Sequence, residues 1–270
     1  MDRGNPMELN KVDDRIVMLT AYDYPMGRFL DQSPVDIILV GDSLANVALG
    51  LDSTRDVGMQ EMIHHAKAVN RGVEKTFLIG DMPYEAYQVD GADPVRNARR
   101  FIDEAGCDGV KLEWFDGCLE VTENILQAGI PVMGHAGLTP QTAEDFNVQG
   151  TDAASGQEII EQANQLEEVG CFSLVLECIP ETLGQIITDN LEVPTIGIGA
   201  GRHCNGQVLV TPDLLGMYER FNPKFAKQYA ELGTDILDAV NAFCEEVNDG
   251  SFPGLEHCYQ MDPDEADQLT

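Results

Sequence analysis

Glu177 stands inside an apolar run, SLVLECIP (173–180), bounded by Gly170 and Pro180. Such a run predicts a buried strand. A lone charge there costs several kcal/mol or takes up a proton. Glu177 is therefore either paired for structural reasons or kept basic for a reaction. Comparable runs end on polar residues too: Asp42-Ser43 in DIILVGDS (36–43), Asp81 in TFLIGDMP (76–83), Lys111 and Glu113 in GVKLEW (109–114), His135 in PVMGHAGL (131–138). Asp42, Asp81 and Glu113 come from consecutive runs, and three such acids repel one another unless a cation lies between them. Oxygen-only ligands point to Mg²⁺ or a similar hard divalent ion. The alternative is three unrelated acids capping turns. Lys111 either balances the acids, binds a substrate carboxylate or pairs with Glu113 in the core. His135 is either a donor to substrate or a satisfied structural histidine.

These residues need elements to position them. RIVMLTAYDY (15–24), VPTIGIGAG (193–201) and QVLVTPDLLG (207–216) complete a series of eight strand-like runs. Helical patterns fill most of the intervals, over 58–71, 94–105, 116–128 and 155–169, each followed by glycine. Asp93 is the expected N-cap of the second, with Pro94 at its first position. Eight alternating units predict an α/β fold, a single (β/α)8 TIM-type barrel, whose catalytic residues gather at the C-terminal strand ends. A doubly wound open sheet is the alternative. One domain is expected over 1–270, with a core over about 15–250, an additional helical region at 223–248 and an acidic, frayed tail at 259–270. GIGAGRHCNG (197–206) has the glycine content of an anion-binding loop, although a tight turn is the preferred reading. His64 and His65 fall within a helix, far in sequence from the acids.

Composition narrows the setting. Forty-seven acids face sixteen bases, a formal charge of −31. That disfavours nucleic acid as a partner, because phosphate contacts need a basic surface. It suggests adaptation to molar salt, where self-repulsion is screened. No segment has the length and apolarity of a membrane helix, and the polar N-terminus shows no export region, so a cytoplasmic protein is expected. Seven scattered cysteines without a CxxC pair predict core filler rather than a disulfide framework or zinc site.

The chain also resembles the ketopantoate (3-methyl-2-oxobutanoate) hydroxymethyltransferase family. The resemblance runs over about 15–258 through MLTAYDY (18–24), LVGDSL (39–44), DST (52–54), HAKAVNRG (65–72), GDMPYEAYQ (80–88), VKLE (110–113), GHAGLTPQ (134–141), LVLECIP (174–180), IGIGAG (196–201), GQVLV (206–210) and PKFAK (223–227). It implies Mg²⁺ bound through Asp42, Asp81 and Glu113, substrate contacts at Asp42, Ser43, Asp81 and Lys111, and Glu177 as proton acceptor. It also implies 5,10-methylene-tetrahydrofolate or a related pterin as co-substrate, and a homo-oligomer, a decamer. The sequence departs from the family pattern in AEDFNVQGTD (143–152), which is shorter and has Thr151 where a base is usual. It departs also at Asn205 and Gly58.

The implied chemistry is chelation of a small 2-oxo acid by Mg²⁺, removal of a C3 proton by Glu177, and attack of the metal-stabilised enolate on the one-carbon unit. Lys111 and Ser43 would orient the substrate carboxylate, with His135 a further donor. One rival is a metal-dependent 2-oxo-acid lyase or mutase of the isocitrate-lyase-like barrel type, whose KKCGH-like lid motif does not occur here. The other is a non-catalytic oligomeric scaffold.

Overall fold

The computed structural model describes residue 3 and residues 15–143, 146–218, 220 and 223–269. Apart from Arg3, the polar N-terminal stretch through Asp14 lies outside the described residues, as do Glu144 and Asp145 of the departing loop.

Each apolar run forms a strand: β1 Ile16–Thr20, β2 Ile37–Val40, β3 Phe77–Asp81, β4 Gly109–Lys111, β5 Val132–Gly137, β6 Ser173–Glu177, β7 Thr195–Ile198 and β8 Gly206–Leu209. All pair in parallel and in chain order. The ring closes where β1 meets β8, from Ile16 opposite Gly206 to Leu19 opposite Leu209. Closure excludes the open sheet.

Helices α1 Tyr24–Asp31, α2 Leu44–Val47, α3 Met59–Asn70, α4 Pro94–Asp103, α5 Cys118–Gln127, α6 Ala153–Val169 and α7 Glu181–Asn190 follow β1 to β6. Asp93 caps α4, accepting from Arg96 N at 3.0 Å, and Pro94 fills its first turn. Gly170 ends α6 at φ 109°, where a side chain would be strained. α6 begins two residues before the expected Ser155, because the Asp152 carboxylate accepts from Ala154 N and Ser155 N.

Alternation sorts the strand residues onto two faces. Met18, Ile37, Leu39, Ile79, Met133, Val175, Ile196 and Val208 pack inside the barrel, while Ile38, Val40, Leu78, Val110, Leu112, Leu174 and Leu176 face the helices. With Val110 and Leu112 outward, Lys111 and Glu113 turn inward, as alternation predicts.

Among the described residues the outer layer is incomplete. Residues 199–205 connect β7 to β8 without a helix, as a tight turn in which Gly199 and Gly201 take positive φ. After β8 comes only the single turn α8, Thr211–Leu214. Outward-facing Val17 of β1 and Gln207 of β8 are exposed.

The expected helix over 223–248 is shorter, α9 Leu232–Asp249. Residues 223–231 instead lie against the barrel. Tyr229 N donates to Leu214 O at 2.8 Å and Leu232 N to Leu215 O at 3.0 Å, which holds this segment out of helical geometry. The tail, expected to fray, contains a further turn of helix, α10 Pro263–Ala266, capped by Asp262. Cys107, Cys118, Cys171 and Cys204 are buried as expected, but Cys244 and Cys258 are exposed, because α9 and the residues after it have no core to fill. Among the described residues, no helix is long and apolar enough to cross a membrane.

Candidate active site

All seven candidate residues line one cavity of about 380 Å³ at the C-terminal strand ends: Asp42, Ser43, Asp81, Lys111, Glu113, His135 and Glu177. The volume lies in the range of small-molecule sites. His64 and His65 are elsewhere. His65, in α3, holds the carbonyl of Tyr22 through Nδ1 at 2.6 Å, a structural contact.

The acids converge from β2, β3 and the residue pair after β4. Lys111 sits opposite Asp81 in register, and its Nζ donates to Asp81 Oδ1 at 2.7 Å. Its partner is thus Asp81 rather than Glu113. Burial alone would lower the Lys111 pKa, but the charges of Asp81, Glu113 and Asp42 raise it, so the ammonium stays protonated. Burial and then the charge of Asp81 push Asp42 up to about 7, against the pull of Lys111 and Gln141. Burial also drives Glu113 well above the carboxylate range; Lys111 opposes this, while Asp42 and Asp81 add to it.

This is a crowded, oxygen-only donor group with one cation for three carboxylates. Its chemistry fits a hard divalent ion. Among the described residues, no three His, Cys, Asp or Glu side chains stand close enough together to cage a metal directly. Mg²⁺ does not need such a cage, because it is commonly held by one or two carboxylates with water between it and the others.

Gln141 was not singled out from the sequence, yet it ties the acids together. It is fully buried. Its Nε2 donates to Asp42 Oδ2 at 2.8 Å and to Met82 O at 2.9 Å, and its backbone N donates to Glu113 Oε2 at 2.9 Å. Its Oε1 accepts from Tyr87 Oη at 2.6 Å, and that hydroxyl also accepts from Glu113 N at 3.0 Å. Arg55 donates through Nε to the carbonyl of Gln141. The sole sequence signal was its place in GHAGLTPQ; nothing in its spacing reveals which acids it meets.

Glu177 ends β6, and its side chain is 18% exposed to the cavity. No ion pair joins it to Lys111. Its Oε2 lies 3.4 Å from His135 Nε2. Burial lowers the His135 pKa well below its usual value, aided by Lys111, so the imidazole is neutral. Neither ring nitrogen has a hydrogen-bond partner, which argues against a satisfied structural histidine. Burial raises Glu177 to about 8, with Lys111 opposing and Asp42 and Asp81 reinforcing the rise. The next residue, Cys178, takes φ 47°, a strained conformation for a side-chain-bearing residue. Hydrogen bonds from Cys178 N to Ile198 O (2.9 Å) and from Gln149 N to Cys178 O (2.8 Å) hold it there.

That second bond anchors the departing 143–152 loop beside the cavity, and Phe146 and Val148 of this loop line it. The other departures have local explanations. A Cβ on Gly58 would meet Glu85 Oε1 at 2.7 Å, and that carboxylate accepts from Met59 N, serving the start of α3. Asn205 Oδ1 accepts from Thr195 N at 2.9 Å.

A closed (β/α)8 barrel with acids, a lysine and a basic carboxylate at its mouth defines a (β/α)8-barrel protein with a candidate active site at its C-terminal strand ends. A solved structure of 2,3-dimethylmalate lyase, described as a PEP mutase/isocitrate lyase superfamily member, superposes with a TM-score of 0.58 over 98% of this chain and 90% of that one. At 15% identity it speaks for the fold alone, and so lends the lyase or mutase alternative little weight.

The sequence relationships are far closer. The family model for ketopantoate hydroxymethyltransferase matches residues 5–255. The 3-methyl-2-oxobutanoate hydroxymethyltransferase of Heliobacterium modesticaldum is 51% identical over 258 residues, 94% of each chain. That of Syntrophus aciditrophicus is 49% identical over 254 residues, 93% of each chain. The chain belongs to the ketopantoate hydroxymethyltransferase family.

Proposed function

We propose that this chain transfers a hydroxymethyl group from a 5,10-methylene-tetrahydropterin to 3-methyl-2-oxobutanoate, forming 2-dehydropantoate for pantothenate and coenzyme A synthesis. The observation that carries the proposal is the state of Glu177: a carboxylate with no cationic partner, raised to about 8, in the same cavity as Lys111 and three acids. Lys111 keeps donors free beyond the one given to Asp81, and with Ser43 it receives the substrate carboxylate. Ser43 is oriented by Tyr22 Oη at 2.9 Å. A Mg²⁺ ion held by Asp42, Asp81 and Glu113, directly or through water, supplies Lewis-acid polarisation of the oxo group when bound.

Glu177 takes the C3 proton, and its burial makes it basic enough to do so. Neutral His135 is placed to donate a hydrogen bond to Glu177 or to the substrate without contributing charge. Leu39, Leu138, Val175 and Val208 keep water from the carbon nucleophile. A C–C bond then forms to the methylene carbon, its two C–N bonds to the pterin break, and water supplies the hydroxyl oxygen, while the two pterin nitrogens take up the proton held by Glu177 and one proton from water.

The test is Glu177→Gln, which preserves shape and removes the base. A folded variant that still binds metal and oxo acid, with C3 exchange in D₂O slowed at least about a thousandfold, is expected. Exchange near the wild-type rate moves the base to another residue.

We further propose that the chain acts as one domain within a homo-oligomer in a cytoplasm of high salt. Supporting the oligomer, α9 has no fully buried residue and exposes Ile236, Val240, Phe243 and Val247 at helical spacing, while among the described residues no helix covers the outer face of β8 and β1. A second copy matches both surfaces. The charge of −31 supports the salt proposal.

A further inference from the structure

The cavity has a half that the acid cluster does not reach. Strands β2 to β6 bring Asp42, Asp81, Lys111, Glu113, His135 and Glu177 to one arc of the mouth. The remaining arc, from β7, β8 and the segment after α8, presents Ile198, Val208, Val210, Pro223 and Phe225.

One carboxylate stands in this apolar arc. Asp213 of α8 lines the cavity, is 8% exposed, and its Oδ1 is buried without a hydrogen-bond partner. Lys224 lines the same cavity but forms no ion pair with it among the described residues. Burial is the one cause that shifts its carboxyl, upward to about 6, so it is still largely ionised at neutral pH. The turn that carries Asp213 is fixed. Thr211 N donates to Thr20 Oγ1 at 3.0 Å, Thr211 Oγ1 donates to Thr20 O at 2.6 Å, and Asp213 N donates to Val210 O at 3.0 Å.

A buried, rigidly held carboxylate without a donor is costly in the free protein. Its partner therefore arrives with a ligand. That ligand needs an apolar body for the arc and adjacent N–H groups along one edge for the carboxylate. The 2-amino and N3–H groups of an aminopyrimidinone meet both oxygens of one carboxylate side by side, as a guanidinium does.

We propose that Asp213 binds the 2-amino-4-oxopyrimidine edge of the pterin one-carbon donor and seats its ring in the apolar arc. This rests on the one-carbon transfer proposed above and assigns the donor its subsite within that cavity. β6, which carries Glu177, borders the arc through its pairing with β7, so a ring seated there lies beside an oxo acid held by the polar arc.

The test is calorimetric titration with tetrahydrofolate and with its 2-desamino analogue. Asp213→Asn is expected to weaken tetrahydrofolate binding at least tenfold. Removing the 2-amino group should weaken binding to the wild type comparably and add little in the variant, the signature of a direct pair. Unchanged tetrahydrofolate affinity in Asp213→Asn, or equal affinity of both pterins for the wild type, overturns the proposal. If the variant does not fold, the comparison of the two pterins on the wild type still decides. Wild-type C3 exchange of 3-methyl-2-oxobutanoate in D₂O without pterin reports separately on the reaction, so loss of the reaction and loss of the subsite are distinguishable.

Discussion

The barrel mouth and α9 break the same rule of folding in opposite directions. At the mouth, Asp81 and Glu113 are 1% exposed and Lys111 4%, charges taken out of water in the middle of the fold. Along α9, Phe243 is 53% and Val240 51% exposed, apolar groups left in water. Either arrangement costs free energy in an isolated chain. The mouth offsets part of its cost internally, through Lys111 on Asp81 and the amide of Gln141 on Asp42. α9 has little such internal relief, since none of its residues is fully buried and Phe243 meets only the ring of Phe252. The first departure suits the proposed reaction site, which must hold charge ready, and the second suits a surface that a second copy covers in the proposed oligomer.

The contrast is sharpest at Glu177. Wild-type exchange should fall as pH drops through about 8, because the base works only when deprotonated. Linkage gives the stability sign. The folded-state pKa is raised from 4.5, so the fold binds the proton more tightly than the unfolded chain and loses stability as pH rises from about 4.5 to about 8. Glu177→Gln, inert in exchange by about three orders of magnitude, should therefore be more stable than wild type at pH 8, by on the order of 4 kcal/mol. A thermal midpoint lowered by this substitution would show Glu177 to be a structural member of the barrel.

Asp81→Asn and Glu113→Gln come next. Each should weaken Mg²⁺ and oxo-acid binding together by roughly a hundredfold in calorimetry, because the substrate is held partly through the ion. Unaltered affinities in both variants would leave these acids without a metal role. Gln141→Ala should weaken the same two affinities by about tenfold, as expected when a supporting hydrogen bond is removed from a ligand. Gln141→Glu, which keeps the size but loses the donors to Asp42, should not restore them.

At the other region, Val240→Asp combined with Phe243→Asp should reduce the proposed assembly to smaller species in sedimentation, with the barrel's circular dichroism retained. A sedimentation pattern identical to wild type would remove α9 from the interface. The smallest effect expected is that of salt. Dilution from molar to about 0.01 M KCl lengthens the screening distance from about 3 to about 30 Å, so the thermal midpoint should fall by several degrees. A midpoint indifferent to KCl would detach the charge of −31 from stability.

Much of this was legible before any coordinates. Strand and helix periods are local properties, so eight apolar runs and their glycine stops marked the barrel units. The position of Asp42, Asp81, Lys111, Glu113, His135 and Glu177 at run ends placed them at one rim once the barrel closed. Alternation alone turned Lys111 and Glu113 inward, and the ordered motifs pointed to the family.

What tertiary structure decided was pairing and vacancy. Lys111 meets Asp81 rather than Glu113 because parallel register sets the two opposite each other. Gln141 reaches Asp42 across a separation of 99 residues, through a loop whose path no local period describes. Residues 223–231 leave the helical pattern because their backbone donors find carbonyls near α8. Asp213 is remarkable in the sequence for nothing, and only the closed mouth leaves its Oδ1 buried and unpartnered. Periodicity is set by neighbours along the chain, whereas the partners of a buried charge are set by what the fold brings within about 3 Å of it.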